Sequence, residues 1–156
     1  MCFVCDRISQ IKSGRNKHFV AELETGYVVM ADHQFFRGYT LFICKKCVPS
    51  LYSLDFDFAD LYLKEMRKVA THMWVAFSPK TINIELLGNK YPHLHWHLIP
   101  RYKEDPLPES PIWEIDKSIW RSDKCKLNKY QLLKMKNDFL ETFGPTKSTF
   151  RKKSLL

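Results

Sequence analysis

Apolar and polar positions along the chain fall into two periods, one of strands and one of helices. Residues 18–23 and 27–31 are short apolar runs around Glu24, Thr25 and Gly26. They predict a β-hairpin in which Gly26 supplies the backbone freedom of a tight turn. Residues 39–44, YTLFIC, form a third β-rich run. A helical period follows over 58–77, where Tyr62, Met66, Val69, Met73 and Phe77 recur in steps of three and four, with Asp57 as candidate cap. Ser78 and Pro79 end it. Two further strands are predicted over 82–87 and 94–99, with Gly88 and Asn89 as the turn signal between them. A last helix is predicted over 127–143, with Leu132, Met135, Phe139 and Phe143 on one face, stopped by Gly144 and Pro145.

Five strands, mostly close in sequence, favour antiparallel pairing. With two main helices on one face of the sheet, the expected class is α+β. Between the last strand and the last helix, residues 103–123 change character. Pro106, Pro108 and Pro111 interrupt regular structure, while Trp113 and Trp120 call for burial or a ligand. This predicts an ordered loop that wraps the domain. The expected organisation is one domain over 1–145, including that loop, and a basic tail over 146–156.

Composition adds bounds. At 156 residues, 45% hydrophobic and 27% charged, the chain suits a single globular core. No apolar run has the length of a membrane span, and MCFVCDRISQIKSGR lacks the apolar stretch of a signal peptide. The expected address is therefore the cytoplasm, where the five cysteines are thiols or metal ligands. The net charge of +8 attracts polyanions. Nucleic acid is one such partner, but aromatic and basic residues are not interleaved as in an RNA-binding signature.

The chemistry-bearing segment is HLHWHLIP, residues 93–100. Strand alternation puts His93, His95 and His97 on one face, roughly 7 Å apart, and Leu94, Trp96 and Leu98 on the other. Three buried imidazoles would each need polar partners, so a purely structural role explains them poorly. Two readings stand: a metal site, since imidazole is a common zinc ligand, or a nucleophilic histidine oriented by its neighbours.

The run HLHWHLIP resembles the signature of the histidine-triad family. Two other segments extend the resemblance over residues 2 to about 101. RGYTLFICKKC, residues 37–47, is similar to the family's glycine-histidine, apolar strand, proline-lysine-x-histidine segment. Cys2-Phe3-Val4-Cys5 is similar to the Cys-x-x-Cys that opens many members. The resemblance implies a five-stranded antiparallel sheet, a homodimer with a sheet continuous across its interface, and nucleotidyl hydrolysis or transfer. It implies His95 as nucleophile at the α-phosphorus of a purine nucleotide compound, a dinucleoside polyphosphate or a nucleoside phosphoramidate. His97 would bind phosphate or hold the site's hydrogen bonds, and the His93 carbonyl would accept the Nδ1 proton of His95. No metal is needed for that chemical step. The alternatives are a nucleotide-binding protein with little turnover and a metallohydrolase using the three histidines.

Asp32 stands near the family's ribose-contacting residue, one position short of the usual spacing to residue 39. Asn89 stands where members place a substrate-facing amide, and it is equally a turn residue beside Gly88. Two departures affect the site. The family histidine after the first glycine is Tyr39 here, and the longer phosphate-binding segment before His93 is reduced to Lys90, Tyr91 and Pro92. Lys90, Tyr91 and Arg101 are the candidates to replace it. His33, next to Asp32, is placed to approach a nucleotide, whereas His18 and His72 read as incidental.

The cysteines suggest a structural zinc. The spacing of Cys2 and Cys5 lets both thiolates meet one tetrahedral ion. By resemblance to zinc-bearing members, the remaining ligands are His93 and Cys47, the latter in place of a histidine. Cys44 is expected to face the core.

Overall fold

The computed structural model describes residues 2–144. The expected basic tail, 146–156, and Pro145 lie outside the described residues. Strands β1 (Phe19–Glu22), β2 (Gly26–Met30), β3 (Thr40–Cys44), β4 (Thr81–Leu86) and β5 (His95–Arg101) form one antiparallel sheet in the order β1-β2-β3-β5-β4. The helices are α1 (Phe3–Lys12), α2 (Phe56–Phe77), α3 (Lys117–Trp120) and α4 (Lys129–Thr142). The expected α+β class and five-stranded sheet are observed. No helix in the described residues is long and apolar enough to cross a membrane.

Strand register sorts side chains by parity. Val28, Phe42 and Trp96 lie in one row across β2, β3 and β5, and Leu98 follows on the same face. This face meets α2 and α4 through Tyr62, Val69, Met73, Phe77 and Phe139. The Tyr62 hydroxyl donates to the Phe42 carbonyl at 2.8 Å, which satisfies a polar group in an otherwise apolar layer. The opposite face carries the rows Tyr27–Ile43–His95 and Val29–Leu41–His97–Glu85.

Helix α1 had no counterpart among the expected elements. Its buried Val4, Ile8 and Ile11 follow helical steps, and they pack on Tyr27, Val29 and Ile43. Helices therefore cover both faces, and three of them are substantial, not two. The second cover of this face is the wrapping loop. Its Ile112, Ile115 and Trp120 are buried against Phe36, Tyr39 and Ile99, whereas Trp113 is half exposed.

Several local expectations are corrected. Gly26 opens β2 without a positive φ. A Cβ there would meet the Phe42 ring at 2.5 Å and the Ile43 carbonyl at 2.7 Å, so close approach, and not turn geometry, calls for glycine. The turn is held instead by Glu65 of α2, whose carboxylate accepts from the Glu24 and Thr25 amides at 2.9 and 2.8 Å. Asp55, two residues before Asp57, caps α2 by accepting from the Phe58 amide at 3.0 Å. α4 starts at an Asn128–Gln131 capping box. Gly88 and Asn89 do not make a tight hairpin. Residues 87–94 form a longer excursion between β4 and β5, pinned where the Leu94 amide donates to the Val48 carbonyl at 2.7 Å.

Candidate functional site

The uncovered part of the α1 face, between that helix and the wrapping loop, is a cavity of about 250 Å³. Val4 and Arg7 of α1, Asp32 and His33 after β2, Leu41 and Ile43 of β3, His95 and His97 of β5, and Trp120 and Arg121 of the loop line it, with Tyr39 and Tyr91.

The three histidines do not act as one set. His93 precedes β5 in a bend and is fully buried. Its Nε2–H donates to the Cys44 carbonyl at 2.8 Å, which leaves the Nδ1 lone pair facing Cys2 and Cys5. Nδ1 lies 3.6 Å from Cys2 Sγ and 3.5 Å from Cys5 Sγ. The ligand atoms of Cys2, Cys5, Cys47 and His93 all lie within 4.8 Å of one another. Bonds of about 2.0–2.3 Å to a tetrahedral zinc place ligand atoms roughly 3.5 Å apart, so the donor set fits a Cys3His ion. The Cys44 carbonyl is the kind of outer partner that fixes a ligating imidazole. Cys44 itself is buried in the core, as expected. Among the described residues this is the group able to hold a metal, and His95 and His97 are not in it.

His95 is buried, and its Nδ1–H donates to the His93 carbonyl at 2.6 Å. Nε2 is then the atom with a free lone pair. The His95 and His97 rings meet edge-on at 4.7 Å. Burial pushes His95 below the ordinary histidine range, against the contact to His93. Burial, with the charges of His95 and Arg121, brings His97 down to about 4. Both imidazoles are neutral at pH 7.

Tyr39 fills the place of the family histidine, and its hydroxyl hydrogen-bonds His97 Nδ1 at 2.6 Å. Burial, with Glu85 nearby, raises Tyr39 well above the usual tyrosine range, so the phenol stays protonated. The departure in sequence thus retains a polar group that orders His97.

Asp32 lines the cavity but is already engaged. Arg7 pairs with it, and His18 Nε2 approaches it at 3.5 Å. Burial opposes its charge, yet the Arg7 contact outweighs burial and holds the carboxyl below its ordinary range. His33 also lines the cavity, whereas the His72 ring packs at a tilt against Phe143. Asn89 is exposed in the 87–94 excursion and is not a cavity residue.

Of the three candidates for the missing phosphate segment, Tyr91 lines the cavity, stacked on Phe3 at 5.1 Å. Lys90 is exposed beside the Tyr91 ring and does not line it. Arg101 is consumed by the wrapping loop. It is 2% exposed and donates to Asp105, Asn83, Ser110 and Leu107 at 2.7–3.1 Å. The cavity's cations are Arg7 and Arg121, which the sequence reading missed. Arg7 had a signal, its place three residues past Val4 on a helical face. Arg121, in an irregular loop, had none.

Three comparisons bear on this architecture. A family model for the HIT domain matches residues 13–104. Solved structures share the fold. A histidine triad protein from Sinorhizobium meliloti 1021 is 18% identical at a TM-score of 0.69, over 85% of this chain and 93% of that one. One from Marinobacter aquaeolei VT8 is 19% identical at 0.68, over 91% and 96%. A hypothetical histidine triad nucleotide-binding protein from Sulfolobus tokodaii strain7 is 20% identical at 0.68, over 88% and 91%. No curated protein matches in sequence. A family model covering more than half of the chain, on a sheet that presents His95 and His97 into a cavity, places this protein in the HIT, or histidine-triad, family.

Proposed function

We propose that the protein hydrolyses or transfers a nucleotidyl group through a covalent intermediate on His95. Family membership supports a nucleotide-binding or hydrolase/transferase role at the coarser level. The observation that carries the finer reading is the 2.6 Å contact from His95 Nδ1–H to the His93 carbonyl. It fixes the tautomer in which Nε2 is nucleophilic, on a ring that lines a cavity with two arginines. In the first step Nε2 forms an N–P bond to the α-phosphorus as the bond to the leaving group breaks, a phosphate departing as its anion and an amine taking up a proton from solvent. Positive charge gained by the ring is shared with the His93 carbonyl through Nδ1–H. In the second step a water oxygen, or another acceptor, bonds to phosphorus as N–P breaks, and its proton passes to solvent. His97, held by Tyr39, positions the phosphate oxygens. The substrate is a purine nucleotide compound, either a dinucleoside polyphosphate or a nucleoside phosphoramidate, with its ribose on the Asp32 side. A screen of purified protein against diadenosine tetraphosphate and an AMP-lysine phosphoramidate tests this. Turnover of at least one supports it, and binding without turnover of either leaves a nucleotide-binding role alone.

Two further features belong to this reading. Cys2, Cys5, Cys47 and His93 hold a structural zinc, which when bound would tie α1 to the start of β5 and supply no step of the chemistry. The chain forms a homodimer. The support is the edge of β4, unpaired among the described residues, beside an apolar groove lined by Met66, Ala70, Trp74, Val75, Ile82 and Ile84. Unpaired strand edges of this kind invite a partner, and sedimentation at micromolar concentration measures the outcome.

A further inference from the structure

We infer that Arg121 is the residue that recognises the leaving group, and that it selects substrates whose leaving group is itself a phosphate. The inference rests on the proposed orientation, with the α-phosphorus at His95 and the ribose toward Asp32.

The cavity has two arginines, and they differ in one respect. Arg7 is neutralised by Asp32. The Arg121 guanidinium has no carboxylate or carbonyl acceptor among the described residues, its backbone amide alone being bonded, to the Lys117 carbonyl at 2.9 Å. The guanidinium lies 4.6 Å from the Trp120 ring, a cation–π contact that positions it without consuming its N–H donors. Trp120 is 7% exposed, packed against Tyr39 and Ile99, so this support is rigid. Arg121 lies close enough for its charge to act on both His97 and Tyr39.

These placements order the cavity. Asp32 and Arg7 stand at the α1 side, the two histidines in the middle, and Arg121 on the wrapping loop beside the His97–Tyr39 pair. A nucleotide with its ribose at Asp32 and its α-phosphorus at His95 Nε2 directs any further phosphate toward His97 and Arg121. A guanidinium offers a planar fork of donors that matches two non-bridging phosphate oxygens. It would stabilise charge on a departing phosphate as the bond to the α-phosphorus breaks. A departing amine gives that fork nothing to hold. Arg121 therefore compensates for the shortened segment before His93 on the leaving-group side, and makes a polyphosphate the preferred substrate.

The test uses full-length protein and two probes, ADP and AMP, measured by titration calorimetry on wild type, Arg121→Ala and Arg121→Lys. Arg121→Ala should weaken ADP about tenfold or more and leave AMP within about twofold. Arg121→Lys, which keeps the charge and loses the fork, should fall between. In turnover, kcat/KM for diadenosine tetraphosphate should drop at least tenfold more than kcat/KM for the phosphoramidate. Arg121 is exposed, so the melting temperature should not move. Equal weakening of ADP and AMP, or none, overturns the inference. A wild type that binds both nucleotides but turns over neither substrate defeats the hydrolase reading alone, and the ADP-to-AMP ratio still decides for or against Arg121. A wild type that binds neither nucleotide defeats both.

Discussion

The two faces of the sheet are built from the same five strands and have opposite tasks. On the α2–α4 face, Val28, Met30, Phe42, Leu98 and Phe139 are fully buried in one continuous apolar layer. On the other face the apolar cover is split in two, a patch under α1 and a patch under the wrapping loop. His95 and His97 lie in the gap. Strand alternation alone makes this division available, because neighbouring residues of β5 serve opposite faces. Apolar packing can be completed on one side while hydrogen-bonded polar groups are kept on the other. The second face retains order through specific contacts, from His93 to Cys44, His95 to His93 and Tyr39 to His97, where the first relies on packed area.

Substitutions on the two faces should therefore separate activity from stability. His95→Asn should lower turnover by at least about 10³-fold, the cost of losing a covalent nucleophile. Nucleotide binding and melting temperature should stay near wild type, and retained turnover would refute the role of His95. Phe139→Ala on the opposite face should do the reverse. A buried phenylalanine truncated to alanine costs about 3–5 kcal/mol, so denaturant unfolding should shift by that amount. Activity per folded molecule should hold, and a loss of activity in the folded fraction would show that the two faces are not independent.

The contacts of the open face yield smaller effects. Cys47→Ser should reduce metal content below about one zinc per chain and lower the melting temperature, with a smaller activity loss than His95→Asn. Metal-free wild type of equal stability would remove the zinc site. His97 contributes to the pH dependence of stability. Its folded value of about 4 lies below the ordinary 6.5, so the unfolded chain binds the proton more tightly. The stability from keeping it neutral is present above about pH 6.5 and is lost as pH falls toward 4. Glu85, Tyr39, His95 and Arg121 surround it. His97→Asn should flatten the unfolding free energy between pH 6.5 and 4, and an unchanged slope would contradict the assignment. Tyr39→Phe keeps the ring and leaves His97 without its partner. It should cost roughly 1–2 kcal/mol in transition-state stabilisation, about tenfold in kcat/KM.

The difference between the faces also explains what was legible in the sequence. The packed face announces itself by period, with strands near 18–23, 27–31, 39–44 and 94–99 and helices near 58–77 and 127–143. The alternation in HLHWHLIP put His93, His95 and His97 on one side, and the strand holds only His95 and His97 of the three, since His93 sits in a bend before β5. Less was legible where side chains meet by tertiary contact. Helix α1 is short and half polar, and its three buried residues matter only because Tyr27, Val29 and Ile43 await them. The Gly88–Asn89 pair reads as a turn, yet the chain takes a longer path that brings His93 beside Cys2 and Cys5. Arg101 looked available for phosphate because nothing local reveals that Asn83, Asp105, Leu107 and Ser110 converge on it. Nothing local marks Arg121 among the chain's many cations, and only the burial of Trp120 places it at the cavity.

The central claim is the covalent bond at His95, and mass spectrometry of the trapped intermediate tests it most directly. Wild-type protein is mixed with diadenosine tetraphosphate, quenched in denaturant at neutral or alkaline pH, where an N–P bond survives, and digested. The account predicts an added nucleotidyl mass on the peptide containing His95, localised to that residue by fragmentation and missing in His95→Asn. Sustained turnover with an unmodified peptide, abolished by a chelator and restored by metal, would contradict it.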